Sequence, residues 1–479
     1  MKDENNTALK AGSWYVISNF LVKAVGILTT PIITRLISPA EFGVYNTYRS
    51  MLLIMTILGT LNILASVNLA RYDFTDKEYD EYISSISILS IISTTLIYLL
   101  ANLFGDFVVS WTGLPMDLFN MMFFNIIFVN AFDVLQSKHR AQMKYKAFVV
   151  LSLIVSILAP ILSIIFVSLQ NSNRYLGYIF GTQLPIVIIG FFIFISIIKK
   201  GKTFYNKNYW HYALTISVPL IPHALSNNLL SQSDRVLINR YKGPGQVGLY
   251  SLAYSYSSVL ATIWTSFNQA WAPWFYGKMK EESHEEIKYA VMPYTYAFSL
   301  FFIGMLAVGP EALRIFGPAE YQDGVWVIPP VLLGLFFQFV YSLYVNIEIF
   351  YKRTVLISLG TMSAALFNIV GNILLIPSFG FIGAAYTTLA GYILLFTIHY
   401  YFANRLAEKD IIGNHFIIKW VILMCLLTTI FTLLTNYFLI RYILLAILLV
   451  VFYLRYKDYI NDFINKQIKP RFWRKKDDN

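Results

Sequence analysis

The sequence predicts an all-α protein that crosses a membrane about fourteen times. The chain of 479 residues is 57% hydrophobic and only 13% charged, whereas about a quarter of the residues in ordinary soluble domains are charged. Apolar windows of about 20 residues, which is long enough to span a bilayer, recur from one end of the chain to the other. These observations exclude a soluble globular domain and a protein with a single membrane anchor.

Each apolar window is predicted to be one transmembrane helix. The first six windows fall near residues 12 to 34, 46 to 69, 83 to 103, 116 to 132, 147 to 169 and 175 to 198. The next six fall near 213 to 233, 247 to 272, 290 to 308, 325 to 345, 355 to 376 and 382 to 402, and the last two near 417 to 435 and 440 to 455. No connecting segment exceeds about 20 residues, which is too short for a catalytic or nucleotide-binding domain.

The positive charges predict the orientation. If the N-terminus is cytoplasmic, 28 of the 37 Lys and Arg residues lie on the cytoplasmic side, 8 lie outside and Lys23 lies within the first window. Cytoplasmic loops are enriched in Lys and Arg, so we expect both termini in the cytoplasm. The basic segment at 466 to 476 is expected to contact anionic lipid headgroups and not nucleic acid. We expect no cleaved signal peptide and, with Cys425 alone, no disulfide.

An internal repeat predicts two lobes. Residues 35 to 50 match residues 240 to 255 at an offset of 205 residues without a gap. The identical positions are Arg35 and Arg240, Pro39 and Pro244, Gly43 and Gly248, Tyr45 and Tyr250, and Ser50 and Ser255. Both segments join an odd window to the next even one, which is the pattern of a parallel repeat. We predict a first lobe at 1 to 205, a second at 206 to 410, and two further helices with the basic tail at 411 to 479.

Four stretches carry a family resemblance. They read TRLISPAEFGVYN after the first window, SDRVLINRYKGPGQVGLYSLAY around the seventh and eighth, FNQAWAPWFY at the end of the eighth, and NILLIPSFGFIGAAYTTLAGY across the eleventh and twelfth. With them the chain resembles the Wzx-type polysaccharide flippases, which share an exporter superfamily with the lipid II flippase and the multidrug and toxin extruders. The resemblance covers most of the chain.

The resemblance implies a transporter and not an enzyme. Its cargo would be an undecaprenyl-pyrophosphate-linked oligosaccharide repeat unit, flipped from the cytoplasmic to the external leaflet of a bacterial cytoplasmic membrane. The glycan would serve capsule, exopolysaccharide or O-antigen assembly, with other polysaccharide-assembly proteins as partners. Alternating access between two lobes is how parallel-repeat transporters expose one site to each side in turn.

Two other functions are open to a chain of this kind. A multidrug or organic-cation extruder of the same fold would need buried carboxylates in its cavity, but the first six windows are almost free of Asp and Glu. A membrane polymerase or ligase acting on the lipid-linked glycan would need a sizeable external loop with catalytic residues, and the sequence shows no such loop.

Three cations are candidate ligands of the cargo diphosphate. Lys23 lies near the middle of the first window, Arg49 opens the second, and Arg235 ends the seventh. An ionisable side chain inside hydrocarbon costs about 3 kcal/mol and therefore usually faces a cavity, and guanidinium and ammonium groups bind phosphate oxygens. Either arginine, being near a window end, could instead snorkel to the surface.

The resemblance extends to two of these cations and fails at a third position. In the lipid II flippase, cations on the first and second helices have this role, and Lys23 and Arg49 occupy similar positions. The arginine which that family carries on its eighth helix has no counterpart in the eighth window. That window offers Trp264 and Asn268, which we expect to contact sugar rings, although a Trp near a window end can also be an interface anchor.

A second cluster concerns a coupling ion. Asn368 and Asn372 are four residues apart and share one helix face, Thr388 lies on the next window, and Asp234 is the carboxylate of the seventh. These oxygen ligands resemble the sodium site of the lipid II flippase, except that Asn372 stands where that site has a second carboxylate. Alternatively, Asp234 pairs with a neighbouring arginine, Arg235 or Arg240, and the amides join helices. No other cofactor is predicted, and a proton remains the alternative coupling ion.

Overall fold

The computed structural model describes residues 2–407 and 409–463, and almost all of them are helical. Within these ranges the chain forms sixteen α-helices and two 3-10 helices and contains no β-strand. The predicted all-α fold class is confirmed. The basic C-terminal segment lies outside the described residues.

Eight helices form the first half of the molecule. They are α1 (Lys2–Leu36), α2 (Pro39–Gly59), α3 (Leu64–Asp73), α4 (Asp76–Leu103), α5 (Gly105–Thr112), α6 (Met116–Ala141), α7 (Tyr145–Leu169) and α8 (Arg174–Gly201). The start of α2 is fixed by a capping box, in which the Ser38 hydroxyl accepts from the Glu41 backbone N–H and the Glu41 carboxylate accepts from the Ser38 N–H. The helices α2 and α3 form a pair bent by 43°.

Eight more helices complete the fold. They are α9 (Lys207–Ser217), α10 (Ile221–Lys242), α11 (Pro244–Lys280), α12 (His284–Phe316), α13 (Ile328–Phe350), α14 (Thr354–Ala407), α15 (Asn414–Leu433) and α16 (Phe438–Phe463). The 3-10 helices at Val218–Leu220 and Ala319–Val327 precede α10 and α13. Two predicted helices lie within α14, which is interrupted at Gly380, where φ is 60° and ψ is −146°. A positive φ of this kind favours glycine. We call α9 to α14 the second half.

The protein is a multi-pass membrane protein. By length and composition, nine helices within the described ranges can cross a membrane, or ten if α2 and α3 form one bent span. The count of fourteen stays a prediction. Three helices that contain predicted windows, α1, α10 and α11, do not pass this test individually. They carry polar residues, among them Lys23, Asp234 and Asn268.

Each half has its own apolar core. The largest buried cluster is built mainly from α10 to α15 and includes Phe298 and Phe339, whose ring centroids are 4.1 Å apart. Two smaller clusters lie in the first half. One of these also includes Tyr209 and Ala213 of α9, although α9 follows the predicted boundary at residue 205. The lobe boundaries stay a prediction.

Candidate functional site

The two copies of the sequence repeat contact each other at one end of the molecule. A Cβ atom added to Gly43 would lie 1.8 Å from the carbonyl oxygen of Pro244, and one added to Gly248 would lie 2.0 Å from the carbonyl oxygen of Pro39. Only glycine allows α2 and α11 to approach so closely. Because each glycine faces the proline of the other copy, the contact is reciprocal, as expected for repeats related by a pseudo-two-fold axis.

Side chains add five hydrogen bonds between the halves at the same end. The donors and acceptors are Thr34 Oγ1 to Phe316 O (2.5 Å), Arg35 Nη2 to Ile315 O (3.1 Å), Tyr321 OH to Ile37 O (3.1 Å), Ser50 Oγ to Gln232 Oε1 (3.0 Å) and Asn239 Nδ2 to Thr112 O (2.8 Å). We call this region, formed by residues 34–50, 112, 232–248 and 315–321, the closed end. Backbone packing and these hydrogen bonds hold the two halves together there.

The opposite end of the interface is formed by α9. This short helix packs on α3 and α4 and is separated from α10 by a 3-10 helix. The bonds are Trp210 Nε1 to Ser85 Oγ (3.0 Å), Tyr209 OH to Glu81 Oε2 (3.2 Å) and Tyr212 OH to Asp73 Oδ2 (2.5 Å). We call this region the α9 end. Here α9 meets the first half through side chains, namely these hydrogen bonds and the apolar packing of Tyr209 and Ala213, and not through a glycine contact between two backbones.

Lys23 reaches across the interface between these two ends. Its ammonium group donates to Thr262 Oγ1 of α11 at 2.9 Å. The side chain is otherwise exposed, so two of the three N–H donors of the ammonium have no partner among the described residues. The structure thus places the Lys23 ammonium against the second half, while its predicted role in binding cargo stays a prediction.

The two predicted arginines differ in their surroundings. Arg49 on α2 is exposed and makes no hydrogen bond or ion pair with a described residue. Arg235 is only 7% exposed, because its guanidinium donates to Gln232 Oε1 at 3.4 Å and lies 4.6 Å from the ring centroid of Tyr254. Cation–π stacking of this kind stabilises a cation out of water. Arg49 is thus available to a ligand in this conformation, whereas Arg235 is packed within the second half.

The polar groups of Trp264 and Asn268 are directed at α13. The indole N–H of Trp264 donates to Ser342 Oγ at 3.0 Å, and the side-chain amide of Asn346 donates to Asn268 Oδ1 at 3.5 Å. Both residues are partly exposed. These bonds join α11 to α13 inside the second half, and contact with sugars stays a prediction.

The four residues predicted to bind a cation lie in one buried network. The Oδ1 atom of Asp234 accepts from Asn372 Nδ2 at 2.6 Å, and its Oδ2 accepts from Thr388 Oγ1 at 2.7 Å. Asn372 Nδ2 also donates to Asn368 Oδ1 at 3.1 Å. Each of the four is at most 1% exposed. The network therefore ties α10 to both limbs of α14 inside the second half.

Further residues complete this network, and of these the sequence drew attention to Thr387, beside Thr388, but not to Tyr250 or to Ser233, whose hydroxyl donates to Asn368 Oδ1 at 3.4 Å. The Tyr250 hydroxyl donates to Asp234 Oδ2 at 2.5 Å, and the Thr387 hydroxyl donates to Asn372 Oδ1. Tyr250 is one of the five identical positions of the repeat, and this was a signal that could have drawn attention to it. Thr387 directly precedes Thr388 in the sequence.

The alternative in which Asp234 pairs with an arginine is not what the structure has. Arg240 lies 5.9 Å from the ring centroid of Trp111, and Arg235 stacks on tyrosines. Among the described residues no cation is within ion-pair distance of Asp234, and three hydrogen-bond donors contact its buried carboxylate directly. The oxygen atoms of Asp234, Asn368, Asn372 and Thr388 are hard ligands of the kind that alkali and alkaline-earth cations prefer.

Comparison with known proteins identifies the family. A model of polysaccharide biosynthesis proteins matches residues 8–277. An uncharacterised membrane protein of Methanocaldococcus jannaschii is 22% identical over an alignment of 466 positions, and the alignment covers 89% of either chain.

Solved structures share the fold at low sequence identity. The lipid II flippase MurJ in an inward closed conformation has a TM-score of 0.68 and 16% identity, covering 93% of this chain and 99% of its own. An inward-facing multidrug resistance MATE family transporter of the MOP superfamily has a TM-score of 0.62 and 11% identity, with coverages of 82% and 98%. An outward-facing transporter of that family has a TM-score of 0.54 and 14% identity, with coverages of 84% and 97%. Because the family model matches more than half of the chain, the protein belongs to the polysaccharide biosynthesis protein family, that of the Wzx-type flippases which its sequence resembles.

Proposed function

We propose that the protein is an alternating-access flippase. It moves an undecaprenyl-pyrophosphate-linked oligosaccharide repeat unit from the cytoplasmic to the external leaflet of a bacterial cytoplasmic membrane, for capsule, exopolysaccharide or O-antigen assembly. The observation that carries the proposal is Lys23, an exposed ammonium group at the interface of two halves that are joined tightly at one end. An exposed cation at this depth compensates the charge of a diphosphate that leaves water.

The direction of transport follows from the orientation predicted by the positive charges. In that orientation the closed end faces outside, and cargo reaches Lys23 from the cytoplasmic leaflet. This orientation is supported by the TM-score of the inward-facing MATE transporter, which is 0.62 against 0.54 for the outward-facing one.

The chain's own residues then act by differential binding without covalent chemistry. Lys23 and the exposed Arg49 bind the diphosphate, and the partly exposed ring of Trp264 offers an apolar face to sugars. The reciprocal contact of Gly43 and Gly248 must separate before the cargo leaves on the external side. Cargo drives this change only to the extent that it binds the two states with different affinity.

The Asp234 network is the proposed coupling site. Taking a carboxylate out of water without a cation costs several kcal/mol, even after relaxation. A sodium ion held by oxygens of Asp234, Asn368, Asn372 and Thr388 would supply the missing positive charge, and a proton on Asp234 is the alternative. Either ion changes the balance between inward-open and outward-open states if the network is tighter in one of them.

The test of the flippase proposal distinguishes the effect of the positive charge of Lys23 from the effect of its hydrogen bond to Thr262. Lys23→Ala should abolish flipping of a fluorescent lipid-linked oligosaccharide in proteoliposomes, and complementation of a flippase-deficient strain, at normal protein levels. Lys23→Arg should keep part of the activity. Thr262→Val is the matched control, because it removes the 2.9 Å hydrogen bond and leaves the charge.

Two results would refute the role of Lys23. One is full activity of Lys23→Ala. The other is a loss in Thr262→Val as large as the loss in Lys23→Ala, which would make Lys23 an ordinary contact between helices. An extruder, in contrast, would give cells resistance to organic cations and would not move the lipid-linked glycan.

The coupling proposal is tested by thermal stability. Sodium should raise the melting temperature of the purified protein more than potassium does at equal ionic strength. Asp234→Asn should remove this difference, whereas Asp323→Asn, the same change at an exposed position, should keep it. Asn372→Asp should strengthen the sodium effect by adding a second carboxylate. Equal stabilisation by the two salts would reject sodium and leave a proton as the coupling ion.

A further inference from the structure

A pocket of about 440 Å³ lies outside the site described above, between α4, α6 and α8 of the first half. One wall is cationic and carries Lys138, His139, Lys144 and Lys200. The pocket lies where α4 begins and where α6 and α8 end, on the same side of the molecule as α9. It is therefore near the plane in which the chain passes from the membrane to water.

The charges that line this pocket do not balance. Asp80 is its one acidic residue, and it is shared by two ammonium groups. Lys138 Nζ contacts its Oδ1, and Lys200 Nζ lies 2.9 Å from its Oδ2. Lys144 adds a third positive charge, and no described residue forms an ion pair with it. The pocket thus has a net charge of about +2 with His139 neutral.

Polar groups in the pocket also lack partners. The side chain of Lys138 is only 10% exposed, and the buried atoms His139 Nδ1 and Gln142 Oε1 have no hydrogen-bond partner among the described residues. Buried polar atoms are rarely left without a partner. The Gln142 amide oxygen accepts hydrogen bonds and needs a donor such as water or a headgroup hydroxyl, whereas the excess of ammonium donors is what a site for an anionic group with several oxygen atoms would have.

The remaining wall is apolar and faces the membrane. It is formed by Leu135, Ile189, Phe192 and Ile193. Phe192 is 64% exposed and lies on α8, one of the helices long and apolar enough to cross a membrane. A ligand that fills this pocket must therefore combine an anionic head with a hydrocarbon tail.

We propose that this pocket binds an anionic phospholipid, whose phosphate contacts Lys138, Lys144 and Lys200 and whose acyl chain lies along Phe192. The charge of the pocket selects the anionic headgroup, since each Lys near a membrane surface contributes about 1 kcal/mol to such binding. The apolar wall distinguishes a lipid from a free phosphate ion. None of the residues proposed to bind cargo lines this pocket, so the proposal does not depend on the identity of the cargo.

The test is a lipid titration of the purified full-length protein in detergent. Dioleoyl phosphatidylglycerol should raise the melting temperature more than dioleoyl phosphatidylcholine, which has the same acyl chains and no net charge. Lys144→Gln should weaken the apparent affinity for phosphatidylglycerol about fivefold. Lys146→Gln is the matched control, because Lys146 is exposed two residues away and does not line the pocket. Lys144→Arg should keep the affinity.

Four results would overturn the proposal. The first is equal stabilisation by the two lipids. The second is an equal loss in Lys144→Gln and Lys146→Gln, which would indicate general surface charge. The third is a loss in Lys144→Arg as large as in Lys144→Gln, which would indicate a change in packing. The fourth is full stabilisation by inorganic phosphate or glycerol phosphate at the same concentration, which would indicate a phosphate site that needs no acyl chain.

Discussion

The two ends at which the halves of this protein meet are built in different ways. At the closed end, the backbones of α2 and α11 touch through Gly43 and Gly248, with no side chain between them. At the α9 end, contact depends on side chains: hydroxyl and indole donors, each of which contributes about 1 kcal/mol, and the buried Tyr209 and Ala213. A backbone contact of the first kind is either made or broken, whereas the hydrogen bonds at the α9 end can be lost one at a time while the apolar packing remains. The closed end therefore has the properties of a gate, whereas the contacts at the α9 end can change gradually without separating the helices.

The largest effect is expected from adding a methyl group at one of the two glycine contacts. In Gly248→Ala, the new Cβ would lie 2.0 Å from the carbonyl oxygen of Pro39, and overpacking of this kind costs about 1–3 kcal/mol. The equilibrium should move away from the closed state about ten- to a hundredfold, with loss of most flipping activity. Gly245→Ala is the control, because a Cβ there meets nothing within 4 Å.

Opening of the closed end can be measured by the accessibility of position 262, beside Lys23. For this, Thr262 is replaced by cysteine in a Cys425→Ala background. An impermeant thiol reagent applied from outside should label it faster in Gly248→Ala than in Gly245→Ala. By the reciprocity of the repeat, Gly43→Ala should behave as Gly248→Ala does. Normal flipping and unchanged labelling in both gate variants would show that the close approach of α2 and α11 does not control access.

A smaller effect is expected at the α9 end. Tyr212→Phe removes the hydrogen bond of the hydroxyl to Asp73, 2.5 Å in length, and should lower the flipping rate by no more than about fivefold, since one such bond contributes about 1 kcal/mol. Tyr205→Phe is the control, because Tyr205 is exposed and its hydroxyl has no partner among the described residues. If Tyr212→Phe were as severe as Gly248→Ala, the two ends would not differ in the way inferred above.

The structural features that the sequence predicted depend on local sequence patterns. The matched prolines and glycines of the repeat predicted two halves in the same orientation, and the structure adds that each glycine packs on the other copy's proline. Asn368 and Asn372 could be placed on one face because a helix brings residues four apart together. Their meeting with Asp234 followed from the resemblance to the lipid II flippase, since spacing alone says nothing about contacts between distant helices.

Other parts required the three-dimensional packing. The side chains of Trp264 and Asn268 on a transmembrane helix can face either a cavity or a neighbouring helix. The hydropathy of the sequence is the same in both cases, so it cannot distinguish them. Arg235 could likewise have faced the cavity, but it stacks on Tyr250 and Tyr254 of the next helix, α11. The docking of α9 on the first half could not be predicted either. The sequence of α9 and α10 has the pattern of a single apolar window with a polar segment before it, and this pattern does not show that the chain bends between them.

The most direct test of the central claim is a reversible lock on the closed end. Ser50 and Gln232 lie on opposite sides of it, with Oγ and Oε1 3.0 Å apart. In a Cys425→Ala background, cysteines at both positions can be bridged by a short bifunctional methanethiosulfonate reagent, and single-cysteine variants control for modification alone. Alternating access predicts that the bridged protein does not flip lipid-linked oligosaccharide and that reduction restores the full rate. Flipping by the bridged protein at the rate of the unbridged one would contradict the claim that the closed end must open for transport.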